Sequence, residues 1–182
     1  MAVPAEGRIR ASALIVVMIR GVLAIVLGLA SAALLVLGVL FPRVTASVLA
    51  LLFGAYALLD GVLTLALCAR APGSYRPWLI LQGVIDLGVG AAMLGGFVEL
   101  GPRLLRLVGL WAIATGVVEL IVAREVHRKF ASRTPMVSGA LSLLFGVVIL
   151  AGWPGTGLIA FIWLLAAYGL LTGFVGIAAA AR

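Results

Sequence analysis

Residues 19–61 read IRGVLAIVLGLASAALLVLGVLFPRVTASVLALLFGAYALLDG. Two long apolar runs flank Phe41-Pro42-Arg43, with Arg20 inside the first run and Asp60 inside the second. A charged side chain near the centre of a membrane helix costs about 2.5–3.5 kcal/mol on insertion scales. Such residues are therefore expected to have a partner or a task.

The surrounding chain makes lipid the expected solvent. Of 182 residues, 65% are hydrophobic and 10% charged, whereas a soluble domain carries about a quarter charged residues. The formal charge of +7 would suggest nucleic acid in a soluble protein. Here the basic residues lie between apolar runs, a pattern that encodes topology, so no nucleic-acid partner is expected. One cysteine, Cys68, excludes an internal disulfide, and one histidine, His127, excludes a multi-histidine metal site. No cofactor is expected. Arg8 and Arg10 precede an apolar run from Ala11 to Leu40. This is longer than the ~7–15 residues of a secretory signal core, so it reads as a retained membrane helix.

The spacing predicts six apolar segments, at 11–40, 44–69, 78–98, 104–123, 136–152 and 157–181, after a polar tail at 1–10. Each approaches the ~20 residues that cross a ~30 Å hydrocarbon core, and the fifth is the shortest. Turns at Phe41–Arg43, Glu99–Arg103 and Trp153–Thr156, a breaker-rich loop at Arg70–Pro77 and the most polar loop, Arg124–Pro135, separate them. Tyr75, Trp78 and Trp153 read as interfacial anchors. With the amino terminus on one side, that side receives Arg8, Arg10, Arg70, Arg76, Arg124, Arg128, Lys129, Arg133 and Arg182. The other receives Arg43, Arg103 and Arg106. The asymmetry predicts that both termini are cytoplasmic. The basic stretch Arg124–Arg133 suits anionic lipid headgroups.

The first hairpin recurs. In the odd segments glycines stand seven apart: Gly21 and Gly28, Gly83 and Gly90, Gly139 and Gly146. A proline turn follows each, at Pro42, Pro102 or Pro154. In the even segments an aromatic precedes a glycine by five: Tyr56 and Gly61, Trp111 and Gly116, Tyr168 and Gly173. The expectation is an all-α, polytopic membrane protein forming one domain over 1–182. Three helix-hairpin repeats, at 11–70, 77–124 and 135–182, would be related by a pseudo-threefold axis along the membrane normal. Residues seven apart share a helix face, so these glycines are expected at close helix contacts.

Repeat-equivalent positions define a polar layer. Arg20 corresponds to Gln82 and Ser138, and Asp60 to Thr115 and Thr172. Asp86 corresponds to Ala24 and Ser142, and Glu119 to Thr64 and Gly176. Arg20, Asp60 and Asp86 each stand ten residues from a flanking arginine, about 15 Å along a helix. Glu119 stands five residues from Arg124, about 8 Å. An intramembrane cluster of Arg20, Asp60, Gln82, Asp86, Thr115, Glu119, Ser138, Ser142 and Thr172 is expected, with Arg20 paired to Asp60. One arginine cannot neutralise three carboxylates. The cluster is either a structural ion-pair network or a proton- or ion-responsive site.

No HExxH, GxSxG or phosphate-cradling loop is present, so no catalytic site and no enzymatic activity are expected. Arg20-Gly21, the glycine seven on, the proline turn, and Tyr56 with Asp60-Gly61 together resemble the HdeD family of bacterial acid-resistance membrane proteins. The resemblance spans about residues 14–180. It implies a multi-pass inner-membrane protein associated with acid stress, without an established biochemical activity. The competing expectation is a small transporter or channel for protons or a small solute along the pseudo-threefold axis. The lipid bilayer is the expected partner, with a second copy or another membrane protein left open.

Overall fold

The computed structural model describes residues 5–69, 76–96, 102–130, 134–152 and 158–180. Seven helices account for nearly all of them: α1 (Ala5–Ala33), α2 (Leu35–Leu40), α3 (Pro42–Cys68), α4 (Arg76–Leu94), α5 (Pro102–Phe130), α6 (Thr134–Leu150) and α7 (Leu158–Ala180). In hydrocarbon a backbone must satisfy its own hydrogen bonds, and long apolar runs do so as helices. Five stretches are long and apolar enough to cross a membrane: Ile15–Ala33, Pro42–Cys68, Arg76–Leu94, Arg103–Arg124 and Ile159–Ala178. The remaining apolar stretch, Met136–Leu150, is shorter. Large apolar side chains such as Val26, Leu59, Trp163 and Phe174 face outward and are more than half or about half exposed. The chain is a membrane protein.

Three boundaries differ from those expected. Helix α1 begins at Ala5, so residues 5–10 of the expected tail are helical, and residues 1–4 lie outside the described residues. Helix α5 continues to Phe130, so the polar stretch after Arg124 extends the helix. Residues 124–130 contain no glycine or proline, and charged residues with long side chains are good helix formers. Helix α4 starts at Arg76, inside the expected turn, with Trp78 in its first turn. Tyr75, Trp153, Pro154, Arg70, Arg133 and Arg182 lie outside the described residues.

The first apolar segment is interrupted at Leu34. The Ser31 hydroxyl bonds back to the Leu27 carbonyl at 2.8 Å, a contact that bends helices. The Leu34 amide is shared between the carbonyls of Ala30 and Ser31, at 3.2 and 3.1 Å. Repeat register explains why the chain then resumes as α2. Leu34 stands thirteen residues after Gly21, as Gly96 does after Gly83 and Gly152 after Gly139. Gly96 (φ 69°) and Gly152 (φ 57°) end α4 and α6 in the left-handed region, which costs a residue with a Cβ roughly 1–2 kcal/mol. Leu34 keeps φ −78° and ψ −3°, and the Gly38 amide bonds its carbonyl at 2.8 Å.

The closest helix pairs are α3 with α4, α5 with α6, and α1 with α7. Helices within an expected hairpin (α1 and α3, α4 and α5, α6 and α7) touch far less. Each tight interface joins the last helix of one repeat to the first helix of the next, and α7 to α1 closes the series. Small residues seven apart meet there: Gly54 and Gly61 cross Gly90 and Gly83, and Gly109 and Gly116 cross Gly146 and Gly139. Ala166 and Gly173 cross Gly28 and Gly21. A Cβ on Gly90 would lie 2.8 Å from the Gly54 carbonyl oxygen, and one on Gly146 2.7 Å from that of Gly109. Association in lipid rests on such close packing because the surrounding tails are as apolar as the helices.

Inside the ring the looser contacts are filled by side chains. Phe53, Val108, Trp111, Phe145, Ile162 and Leu165 belong to one buried apolar cluster. The Phe53 and Trp111 rings meet edge to face at 4.9 Å, and Phe145 stacks on Tyr168 at 4.5 Å. Along α3, α5 and α7 most of this cluster precedes the polar positions, toward the end marked by Pro42 and Pro102.

Candidate functional site: a charged layer inside the helix ring

The polar side chains concentrate beside that apolar cluster, toward the end bearing Arg76 and Arg124. Arg20 projects from α1 to Asp60 on α3. Its Nη2 donates a 2.7 Å hydrogen bond to Oδ2. Its Nε lies 2.6 Å from Oδ1, an ionic contact without hydrogen-bond alignment. The same Nη2 stands 3.7 Å from Glu119 Oε1 on α5. One guanidinium thus links the first hairpin to the second across the ring. A guanidinium suits this task because it stays charged and presents a planar fork of donors.

Asp86, on α4, is fully buried. Its Oδ1 accepts the Trp111 indole N–H from α5 at 2.7 Å, while Oδ2 has no hydrogen-bond partner. The tight crossing of Gly61 on Gly83 and Leu87 puts Asp60 and Asp86 at the same level of adjacent helices. Glu119 Oε2 accepts the Ser138 hydroxyl from α6 at 2.8 Å, and Gln82 on α4 stands against the same carboxylate. The Ser142 and Tyr168 hydroxyls share a 2.9 Å bond between α6 and α7. Polar bonds therefore bridge each loosely packed hairpin: Arg20 to Asp60, Trp111 to Asp86, and Ser142 to Tyr168. Glycines join the hairpins to one another.

Seven of the nine expected cluster residues take part in these cross-helix contacts: Arg20, Asp60, Gln82, Asp86, Glu119, Ser138 and Ser142. Thr115 and Thr172 do not. Their hydroxyls bond back to the carbonyls of Trp111 at 2.9 Å and Tyr168 at 2.7 Å, within their own helices. Thr64, which stands in the register of Glu119, is buried with its hydroxyl unpartnered. Trp111 and Tyr168, expected only as the spaced aromatics of the repeat, enter the network through their polar edges. The even helices carry a second small residue at each crossing, Gly54, Gly109 or Ala166, beyond those expected. It stands seven before Gly61, Gly116 or Gly173, the same interval already visible in the odd segments.

Among the described residues no group of three or more His, Cys, Asp and Glu is arranged to hold a metal ion. The layer contains one guanidinium and three carboxylates, and the contacts it shows are charge pairing and hydrogen bonding. Trp111→Phe is expected to cost about 1–3 kcal/mol, the penalty for leaving a buried acceptor without its donor. In an Asp86→Leu background the same change should cost much less. Thermal unfolding in detergent checks both.

Comparison with known proteins adds a family. The model of a short repeat of unknown function (DUF308) matches residues 19–95 and 104–151. These spans include Arg20, Asp60, Asp86 and Glu119. No curated protein and no solved structure matches the chain.

Proposed function

The chain belongs to the family of the short repeat of unknown function (DUF308), and from that premise we propose that it is a non-enzymatic, proton-responsive membrane protein of the HdeD type, acting in acid or general stress response. In this reading it sits in a bacterial inner membrane with both termini cytoplasmic, as its basic residues suggest. The shorter α6 crosses as well, giving six spans in three hairpins about a pseudo-threefold axis. The alternation of tight and loose helix contacts, closed by α1 with α7, supports that arrangement.

One observation carries the function: Arg20 pairs with Asp60 and leans on Glu119, while Asp86 lies buried beside them. Three carboxylates against one guanidinium leave an excess of negative charge when all are ionised. In a low-dielectric interior, like charges at close range repel strongly. Mild acid supplies protons that remove the excess, while the Arg20–Asp60 pair keeps α1 and α3 of the first hairpin joined. Movement of protons or solute along the axis would first have to displace Phe53, Trp111 and Phe145, so the latch is the better-supported reading.

The test is thermal unfolding of the full chain in nanodiscs from neutral to mildly acidic pH. The wild type should gain stability on mild acidification. Glu119→Gln should be more stable than wild type at neutral pH and gain less from acid. Loss of stability in mild acid, unchanged by Glu119→Gln, contradicts the proposal.

A further inference from the structure

Members of the charged layer differ in how far they are exposed. Asp60 and Asp86 are 2% and 0% exposed, whereas the Arg20 and Glu119 side chains keep 24% and 17%. Glu119 stands five residues before the exposed Arg124, about 8 Å along α5. Toward the other end the interior is closed by the apolar cluster around Phe53, Val108 and Ile162. The one carboxylate oxygen of Asp86 that Trp111 does not hold is buried and unpartnered. Arg20 cannot serve it, being committed to Asp60 and inclined to Glu119.

From this geometry we propose that Glu119 is a proton port open to the membrane face that bears Arg76 and Arg124, and that Asp86 Oδ2 is the interior atom it loads. The layer thereby reads the pH of one face only. A hydronium ion gives its proton to a Glu119 oxygen and leaves as water. That O–H bond breaks as the proton passes inward, a new O–H bond forms at Asp86 Oδ2, and Glu119 is again a carboxylate. The groups facing Asp86 are Arg20 on α1, Tyr56 and Asp60 on α3, and Trp111 and Glu119 on α5. Those facing Glu119 are Arg20, Asp60, Gln82 on α4, Ser138 on α6 and Tyr168 on α7. The inference rests on the proton-responsive reading above and adds its direction.

The experiment uses the full chain in inside-out and right-side-out vesicles with a buffered lumen. The probe is a membrane-permeant carbodiimide, which reacts with protonated carboxyl groups. Peptide mass spectrometry measures modification of Glu119 and Asp86 as the external medium is acidified. We expect several-fold faster modification only when acid faces the Arg76 and Arg124 end. Glu119→Gln, which retains a side-chain acceptor for Ser138, should slow modification of Asp86, and Glu119→Asp should restore it. Equal acceleration from both faces, or acceleration from the Arg43 and Arg103 face alone, overturns the one-sided port and leaves the proton-responsive latch standing. No acceleration from either face overturns both.

Discussion

Arg20→Leu should lower stability by about 3–5 kcal/mol, the loss expected when one member of a buried ion pair is removed. Asp60 is 2% exposed, and neither of its oxygens would regain a cation. Glu119 would lose the same guanidinium, now 3.7 Å away. Asp60→Leu combined with Arg20→Leu removes the stranded carboxylate and should recover a large part of the loss. Recovery stays incomplete because Glu119 remains without its cation. The coupling between the two positions should be about 2 kcal/mol or more, within the range for residues in one charge network. A double mutant no more stable than Arg20→Leu would mean that the pair does not hold the two helices of the first hairpin together.

The second large effect falls on the glycine crossings. Gly90→Ala places a Cβ 2.8 Å from the Gly54 carbonyl oxygen and 2.7 Å from the Leu58 side chain. The obstacle includes backbone, which cannot rotate aside, so α3 and α4 must separate along the whole crossing. The expected cost reaches the upper end of the ~1–3 kcal/mol found for overpacked interiors. Gly88, two residues earlier on the same helix, has nothing within 4 Å of an added Cβ. Gly88→Ala should be neutral or stabilising by up to about 1 kcal/mol, the helix-propensity difference. Thermal unfolding of the two variants side by side checks this, and equal effects would mean that the crossing does not set the α3–α4 packing.

The ease of reading these features from sequence followed their chemistry. Two opposite charges stranded in neighbouring apolar runs have few ways to be stabilised, so the Arg20–Asp60 pair was legible. The glycines were legible as packing sites through their interval of seven, but the interval does not say which helix they meet. A glycine face serves equally well against the preceding or the following helix. The pairing of α3 with α4, and the closure of α7 on α1, therefore emerged only in three dimensions. Trp111 was opaque for another reason. An indole in an apolar run looks like any packing aromatic until a carboxylate such as Asp86 is placed at its N–H. The polar residues after Arg124 suggested a loop because polarity in a membrane protein marks the water phase, yet a helix continues into water as readily as a loop does. Leu34 carried a signal only when aligned with Gly96 and Gly152, where its Cβ explains why the first segment continues past the point at which the other two stop.

In the proposed latch, the carboxylates of this layer take up protons as the surrounding medium becomes acidic. Infrared spectroscopy of the protein in nanodiscs measures the protonated carboxyl stretch directly. In the wild type this band should grow from mildly alkaline to mildly acidic pH, and Glu119→Gln and Asp86→Asn should each remove a distinct part of the growth. A band that stays constant across that range, or that grows identically in both variants, would contradict the proposed latch.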